Sequence, residues 1–264
     1  MSAMHEVRVE RDASVATIWL NRVAKRNAMT YSMWADLEVA CNSLAIDDGV
    51  RVVVLRGSGG HFCAGADISE LLAERPAGTR SFGEVNMAAE QALANLPKPT
   101  VAFIEGDCIG GGCAMAIDCD LRLATTGARF GITPAKLGVV YPAPSLERVG
   151  RLLGPAASKY LLFTGRLIDS STALRIGLVN EVHPSAGGEE ALTALCAELT
   201  ARSLLTQASS KEMIGAVAAT GGVPAELDGH WARTAAAAGD LREGVAAFAE
   251  RRTPRFTWPA DPRT

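Results

Sequence analysis

The first readable pattern along the chain is a short alternation. Val7-Arg8-Val9 and Val15-Ala16-Thr17-Ile18-Trp19-Leu20 are β-rich runs parted by turn-prone Asp12-Ala13-Ser14, which predicts a hairpin within residues 5–21. The period then lengthens. Trp34, Leu37, Val39, Cys41 and Leu44 mostly fit helical spacing and predict a helix over 30–45, stopped by Asp47-Asp48-Gly49. The β-branched run over 51–57 reads as a buried strand. A Gly-rich loop follows, then a short helix over 68–73 and a longer one over 82–96 that Pro97 ends. A strand over 100–105, a turn at Gly106-Asp107, a small apolar helix over 113–117 opened by Gly110-Gly111-Gly112, and a strand over 121–124 repeat the theme. Strands alternating with helices predict an α/β core.

From about Leu146 the β-branched runs thin out. Helical stretches are predicted over 155–164, 170–175, 189–203, 207–219 and 240–252, so the chain divides into a core over 1–200 and a helical region over 201–264.

Charge narrows the possible roles. The 264 residues carry 26 Lys plus Arg against 29 Asp plus Glu, a net charge of −3, whereas nucleic-acid binding and polybasic membrane attachment both need surplus cations. Hydrophobic residues at 48% and charged residues at 21% describe a globular chain. The six cysteines (Cys41, Cys63, Cys108, Cys113, Cys119, Cys196) show no metal-ligand spacing, and free thiols in a reducing compartment are expected. The charged start Met1–Asp12 lacks a signal-peptide apolar region, and no apolar run approaches the ~20 residues of a membrane span. A cytoplasmic protein with no membrane partner, no metal and no cofactor of its own is the expectation.

Chemistry concentrates in two loops of one construction: a strand, small residues, then a helix start where backbone N–H groups lack partners and the dipole is positive. If Ala66 and Gly111 stand at those starts, their amides converge on one oxygen as an oxyanion hole, where losing one donor costs ~10²–10³ in rate. Close strand–helix packing is the structural alternative for the glycines. Neither a P-loop GK[ST] nor a GxGxxG after a strand is present.

The string Phe62-Cys63-Ala64-Gly65-Ala66-Asp67-Ile68, followed about forty residues on by Gly106-Asp107-Cys108-Ile109-Gly110-Gly111-Gly112-Cys113, resembles the paired motif of the crotonase (enoyl-CoA hydratase/isomerase) superfamily. Leu20-Asn21-Arg22, Asn27-Ala28-Met29, the segments over 161–166 and 173–179, and Glu243–Phe248 with Arg251-Arg252 look like the same family, so the likeness spans nearly the whole chain. It implies a spiral of repeated ββα units with a helical C-terminal trimerisation region, a homotrimer or a hexamer made of two trimers, and an acyl-CoA substrate. Coenzyme A then enters as part of the substrate, with the thioester oxygen on the amides of Ala66 and Gly111. By the same likeness Lys25, Ala28, Ala64, Asp67, Ile68 and Gly110 follow the nucleotide and pantetheine path.

The sequence departs from a hydratase at two places. The positions where the family's hydratases carry glutamates match Ala114 and Ala135, which are therefore expected to border the acyl group. A positioned acid or base is worth ~10²–10⁴, so hydration by the usual route is not expected. Loss of CO₂ from a malonyl-type thioester makes the enolate without a base. The stretch Gly138-Val139-Val140-Tyr141 resembles the loop of methylmalonyl-CoA decarboxylases, in which a tyrosine matching Tyr141 lies in the active site; those enzymes can carry His where this chain has Ala66. Tyr141 packing a loop before Pro142 is the structural alternative.

Three function classes follow: a decarboxylase, a hydratase or isomerase with relocated acid–base groups, and a scaffold that binds acyl-CoA without chemistry. A serine peptidase needs a base beside Ser69 or Ser145, and none is evident. Among the remaining titratable groups, Asp67 is expected to cap its helix, Glu70 to face either solvent or the acyl pocket, and Asp118 and Asp120 to be structural. His61 reads as loop surface, Glu147 and Arg148 as a loop ion pair, and Arg251 and Arg252 as a solvated helix end, with a CoA phosphate contact as the alternative.

Overall fold

The computed structural model describes residues 6–259. Its main sheet has six strands in the order β1 (Val7–Asp12), β2 (Val15–Leu20), β3 (Val52–Gly57), β4 (Thr100–Ile104), β6 (Leu121–Thr125) and β9 (Glu181–His183). In this sheet the β1–β2 hairpin is antiparallel and every later pairing is parallel, with Val15 opposite Val52, Val53 opposite Thr100 and Val101 opposite Leu121. A second sheet joins β5 (Asp107–Ile109), β7 (Arg129–Gly131) and β8 (Ile168–Asp169). β4 passes into β5 and then α4 (Gly111–Asp118), so a strand of each sheet and a helix form one ββα unit.

Burial on both faces explains the unbroken apolar strands. Val53, Leu55, Ala102 and Ile104 face the principal core with Trp34, Leu37 and Leu93, while Val52, Val54, Val101 and Phe103 alternate onto Leu192 and Cys196 of α7 (Gly188–Thr200). Each Val, Leu, Ile or Phe among them contributes about 1.5–3 kcal/mol by leaving water. The principal core is closed by α1 (Tyr31–Ala45), capped by Thr30 accepting from the Met33 amide, and by α3 (Phe82–Ala94), whose Ser81 and Glu84 make a reciprocal capping box. Val39, counted in the helical pattern, is instead solvent-facing at 67% exposure.

Two expectations are corrected. Gly106 does turn, with φ of 52°, but Asp107 at once begins β5. The segment read as loop before residue 155 is helical: α5 runs Ala143–Thr164 and is broken at Gly154, φ 70°, just before Pro155. Prolines at its start cost nothing, since first-turn N–H groups lack helical acceptors anyway. Short α2 (Ile68–Leu71), α6 (Ser170–Arg175), α8 (Leu204–Thr220), α9 (Ala225–Ala237) and α10 (Asp240–Glu250) complete the fold. The last three form a C-terminal helical region with its own small cluster of Leu205, Ala208 and Trp231. No helix among the described residues is long and apolar enough to cross a membrane.

Candidate active site

Backbone hydrogen bonds stitch the two loops together. The amides of Phe62 and Cys63 donate to Glu105 O and Asp107 O, each at 2.8 Å, and the Ile109 amide returns a bond to Cys63 O at 2.9 Å. On the other side the Met29 amide donates to Gly65 O and the Asp67 amide to Met29 O, both at 2.8 Å. In that parallel bridge the flanking residues make the bonds, so the Ala66 amide is turned away from Met29. Gly110 caps α4 with φ of 57°, leaving Gly111 at the first helical position. Among the described residues neither the Ala66 nor the Gly111 N–H has an acceptor. A β-carbon built on Gly111 would lie 3.7 Å from the Ala66 nitrogen, and one built on Gly65 would lie 3.5 Å from the Gly111 nitrogen, so both amides border one spot. Gly65 is obligatory here: its φ is 102° and a β-carbon would meet Ile109 O at 2.9 Å.

That spot opens into a cavity of about 290 Å³, near the lower end of the ~300–1,000 Å³ usual for small-molecule sites. Ala64, Ala66, Ile68, Gly110, Gly111 and Tyr141 all line it. Lys25, Ala28, Asp67, Ala114 and Ala135 do not. Lys25 is exposed and Ala28 half-buried, beside Ala64 through the bond from the Ala64 amide to Arg26 O. Ala114 is packed inside α4, and Ala135 sits on an exposed single turn over Pro134–Lys136.

The Asp67 carboxylate braces the loop. It accepts from Arg22 at 2.7 Å and from the Ser69 amide and hydroxyl at 3.0 and 2.6 Å; these bonds pull its pKa down to about 2. Glu70 accepts from the Tyr31 amide at 2.8 Å and faces Arg75, so it occupies neither of the settings foreseen for it. His61 Nδ1 accepts from the Asp107 amide at 3.1 Å, and Asp120 is held by Thr100 and Lys211. Arg252 binds Glu243 and Glu250.

Sequence patterning overlooked one wall of the cavity, formed by Trp34, Asn86, Glu90 and Ser145. Glu90, on α3, is 2% exposed. Its carboxyl accepts from Ser145 Oγ at 2.8 Å and Asn86 Nδ2 at 3.1 Å, and Arg148 lies 3.5 Å away. Ser145 thus donates to a carboxyl instead of meeting a base. Contrary to the ion pair expected from sequence, Arg148 does not pair with Glu147. Because residues 143–154 are helical, Glu147 reaches Arg151 one turn on at 3.0 Å, while Arg148 turns inward to Asp118 at 2.5 Å and to Glu90. Burial pushes the Glu90 carboxyl above its ordinary range against the pull of Ser145, Asn86 and Arg148. It pushes Asp118 well up too, aided by Glu90. The Tyr141 hydroxyl and Trp34 Nε1 are buried and unpartnered among the described residues. Burial also raises the Tyr141 pKa, so that phenol remains a donor through the working pH range.

A family model described as Enoyl-CoA hydratase/isomerase matches residues 10–259. A crotonyl-CoA hydratase from Syntrophomonas wolfei is 30% identical over 261 residues, covering 96% of this chain and 98% of the relative. Among solved structures, an enoyl-CoA hydratase/isomerase family member superposes with a TM-score of 0.86 at 38% identity, covering 96% of each chain. An enoyl-CoA hydratase/carnithine racemase from Magnetospirillum magneticum gives a TM-score of 0.90 at 31% identity, covering 97% of this chain and 96% of that one.

Proposed function

The chain belongs to the enoyl-CoA hydratase/isomerase family, in the crotonase superfamily, and from that premise we propose that it removes CO₂ from a malonyl-type CoA thioester. One observation carries the reading. Two acceptor-free amides open onto a small cavity whose Tyr141 hydroxyl is an unpartnered buried donor, while alanines stand at 114 and 135. The thioester oxygen takes the Ala66 and Gly111 amides, which stabilise the enolate charge as it develops. The substrate carboxylate accepts from Tyr141. The cavity's largely apolar wall, including Leu71, Phe82 and Val140, favours neutral CO₂ over the carboxylate it came from. Lys25 and Ala28, outside the cavity beside Ala64, border the exit taken by the pantetheine arm.

A second reading, hydration or isomerisation with a relocated acid–base group, is favoured by Glu90, a carboxylic acid among the residues that line the cavity. Incubation with crotonyl-CoA, methylmalonyl-CoA and ethylmalonyl-CoA, with products read by mass spectrometry, separates the two. Shortening of the malonyl esters by CO₂ is expected, with Tyr141→Phe lowering that rate about tenfold or more. Efficient water addition to crotonyl-CoA refutes the decarboxylase reading. Affinity for the esters without any product points to a scaffold that only binds.

We also propose that residues 201–264 are an oligomerisation region and the protein a trimer or a pair of trimers. Leu241, Val245 and Phe248 support this: they share one face of α10 and are 76%, 62% and 88% exposed.

A further inference from the structure

Behind the cavity lies a buried trio of charged groups that the reaction scheme above leaves unused. Glu90 from α3 and Asp118 from α4 approach a single guanidinium, Arg148 of α5, at 3.5 and 2.5 Å. Side-chain exposures are 3% for Glu90, 2% for Asp118 and 18% for Arg148. Two carboxyls sharing one cation in a low-dielectric setting cannot both stay ionised cheaply, so the pair keeps one proton. That proton belongs to the pair as a coupled unit. Of its two members only Glu90 lines the cavity. Ser145 and Asn86 hold its carboxyl in place, and the Asp118 Oδ2 atom behind it is buried without a partner among the described residues. The titratable and charged groups facing Glu90 are Arg148 from α5, Asp118 from α4 and the Tyr141 phenol from the loop between them.

We propose that Glu90 is the proton donor to the enolate carbon and that Arg148 and Asp118 are its positioning residues. The inference rests on the decarboxylase reading for its reaction. In that reaction the bond from the α-carbon to the carboxylate breaks, its electron pair passes into the thioester carbonyl as the enolate, and CO₂ leaves. The enolate then collapses, taking the Glu90 proton onto the α-carbon, and solvent water returns a proton to the pair. One malonyl thioester and one proton give one saturated thioester and one CO₂. Donation from a fixed side chain reaches one face of the enolate only.

Decarboxylation of methylmalonyl-CoA in D₂O tests this, because the propionyl-CoA formed carries one deuterium at a stereogenic α-carbon. The wild-type protein gives one configuration, and its kcat falls as pH rises through the titration of the carboxyl pair. Glu90→Gln, which keeps size and neutrality, lowers kcat about 10²-fold with KM within about threefold, flattens that pH profile and yields both configurations. Glu90→Asp restores the single configuration. A Glu90→Gln protein that keeps both its rate and its single configuration overturns the proposal. Failure of the reaction reading looks different: the wild-type protein then releases no CO₂ from either malonyl ester. In that event butyryl-CoA in D₂O still tests the residue, since a group that delivers a proton to the α-carbon also removes one. Wild-type protein then washes deuterium into that carbon and Glu90→Gln does not, whereas equal exchange by both removes Glu90 from the reaction.

Discussion

Replacing Gly112 with alanine tests whether helix packing sets the distance between the two amides. Gly112 is the second residue of α4, and a β-carbon there would lie 2.5 Å from Cys63 O, 2.7 Å from Cys63 Cβ and 3.0 Å from Cys63 Sγ. The first of these falls about 0.9 Å short of the 3.4 Å where ordinary contact begins. Cys63 cannot retreat easily. It is fully buried, its carbonyl accepts from Ile109 and its thiol donates to Asn27 O at 3.1 Å. The overlap therefore moves α4, and Gly111 with it, away from the loop that carries Ala66.

Overpacking of this kind costs about 1–3 kcal/mol, which for a chain of this size lowers Tm by roughly 2–12 °C. Displacing one of two converging donors by most of an ångström costs about 10²-fold in rate, because the thioester oxygen can then reach only one of them well. The expected outcome for Gly112→Ala is a folded protein with kcat down about 10²-fold and KM nearly unchanged, since the loss falls on the transition state. Gly150→Ala is the control. Its β-carbon would meet nothing within 4 Å inside α5, so it should raise stability by about 0.5–1 kcal/mol and leave the rate alone. A Gly112→Ala protein with a lowered Tm and a wild-type rate would refute the coupling between α4 packing and the oxyanion pair.

Asp67→Asn should lower Tm by about 2–4 °C at neutral pH through loss of the Arg22 ion pair. Because the Asp67 pKa is depressed from 3.8 to about 2, that stabilisation is present above about pH 4 and lost as pH falls toward 2, so melting curves of wild type and variant should converge there. All six cysteines are buried, and burial lifts Cys41 and Cys63 to about 12 and Cys196 to about 11. A disulfide-exchange reagent at pH 8 should label none of them in the native protein and all six after guanidinium unfolding; prompt native labelling would contradict the burial. In sedimentation, wild type should run as a trimer or hexamer and Phe248→Glu should shift it toward monomer; a monomeric wild type removes the oligomerisation proposal.

Long periodic elements were legible in sequence because their burial is continuous: the strand ending at Gly57, α1 and α3 needed only composition and spacing. Strands β5, β7 and β9 have three residues each, too few to show a period. Helix α9 went unread because it buries only Trp231 and so has no apolar stripe. At the site, the convergence of the Ala66 and Gly111 amides was visible through the glycines around them, whose backbone demands are written in the residue type. Glu90 was not, since a single carboxylate inside a helix ordinarily faces water. A signal was present nonetheless: Asn86 and Glu90, four apart, flank the buried stripe Val85, Ala89 and Leu93, and an acid on the arc that enters the core needs a buried partner.

Position along the ββα unit explains why an acid on α3 leaves room for alanines elsewhere. Residue 114 lies one turn into the helix that carries Gly111, so its side chain projects from the element that carries one of the two amides, and Ala114 is enclosed there at 5% exposure. Glu90 approaches instead from the neighbouring helix, across the cavity wall it shares with Ser145 of α5. The carboxyl of Glu90 is held by Asn86 on its own helix and by Arg148 on α5, and it meets α4 only through Asp118 at that helix's far end, so the amide pair and the acid are positioned mainly by different packing contacts. The two functions should therefore separate in mutants: changes at Gly112 should lower the rate without altering stereochemistry, and changes at Glu90 should alter stereochemistry while leaving oxyanion binding intact. Nearly additive losses in the Gly112→Ala, Glu90→Gln double variant would fit that separation, whereas strong coupling would show that the shift of α4 reaches Glu90 through Asp118.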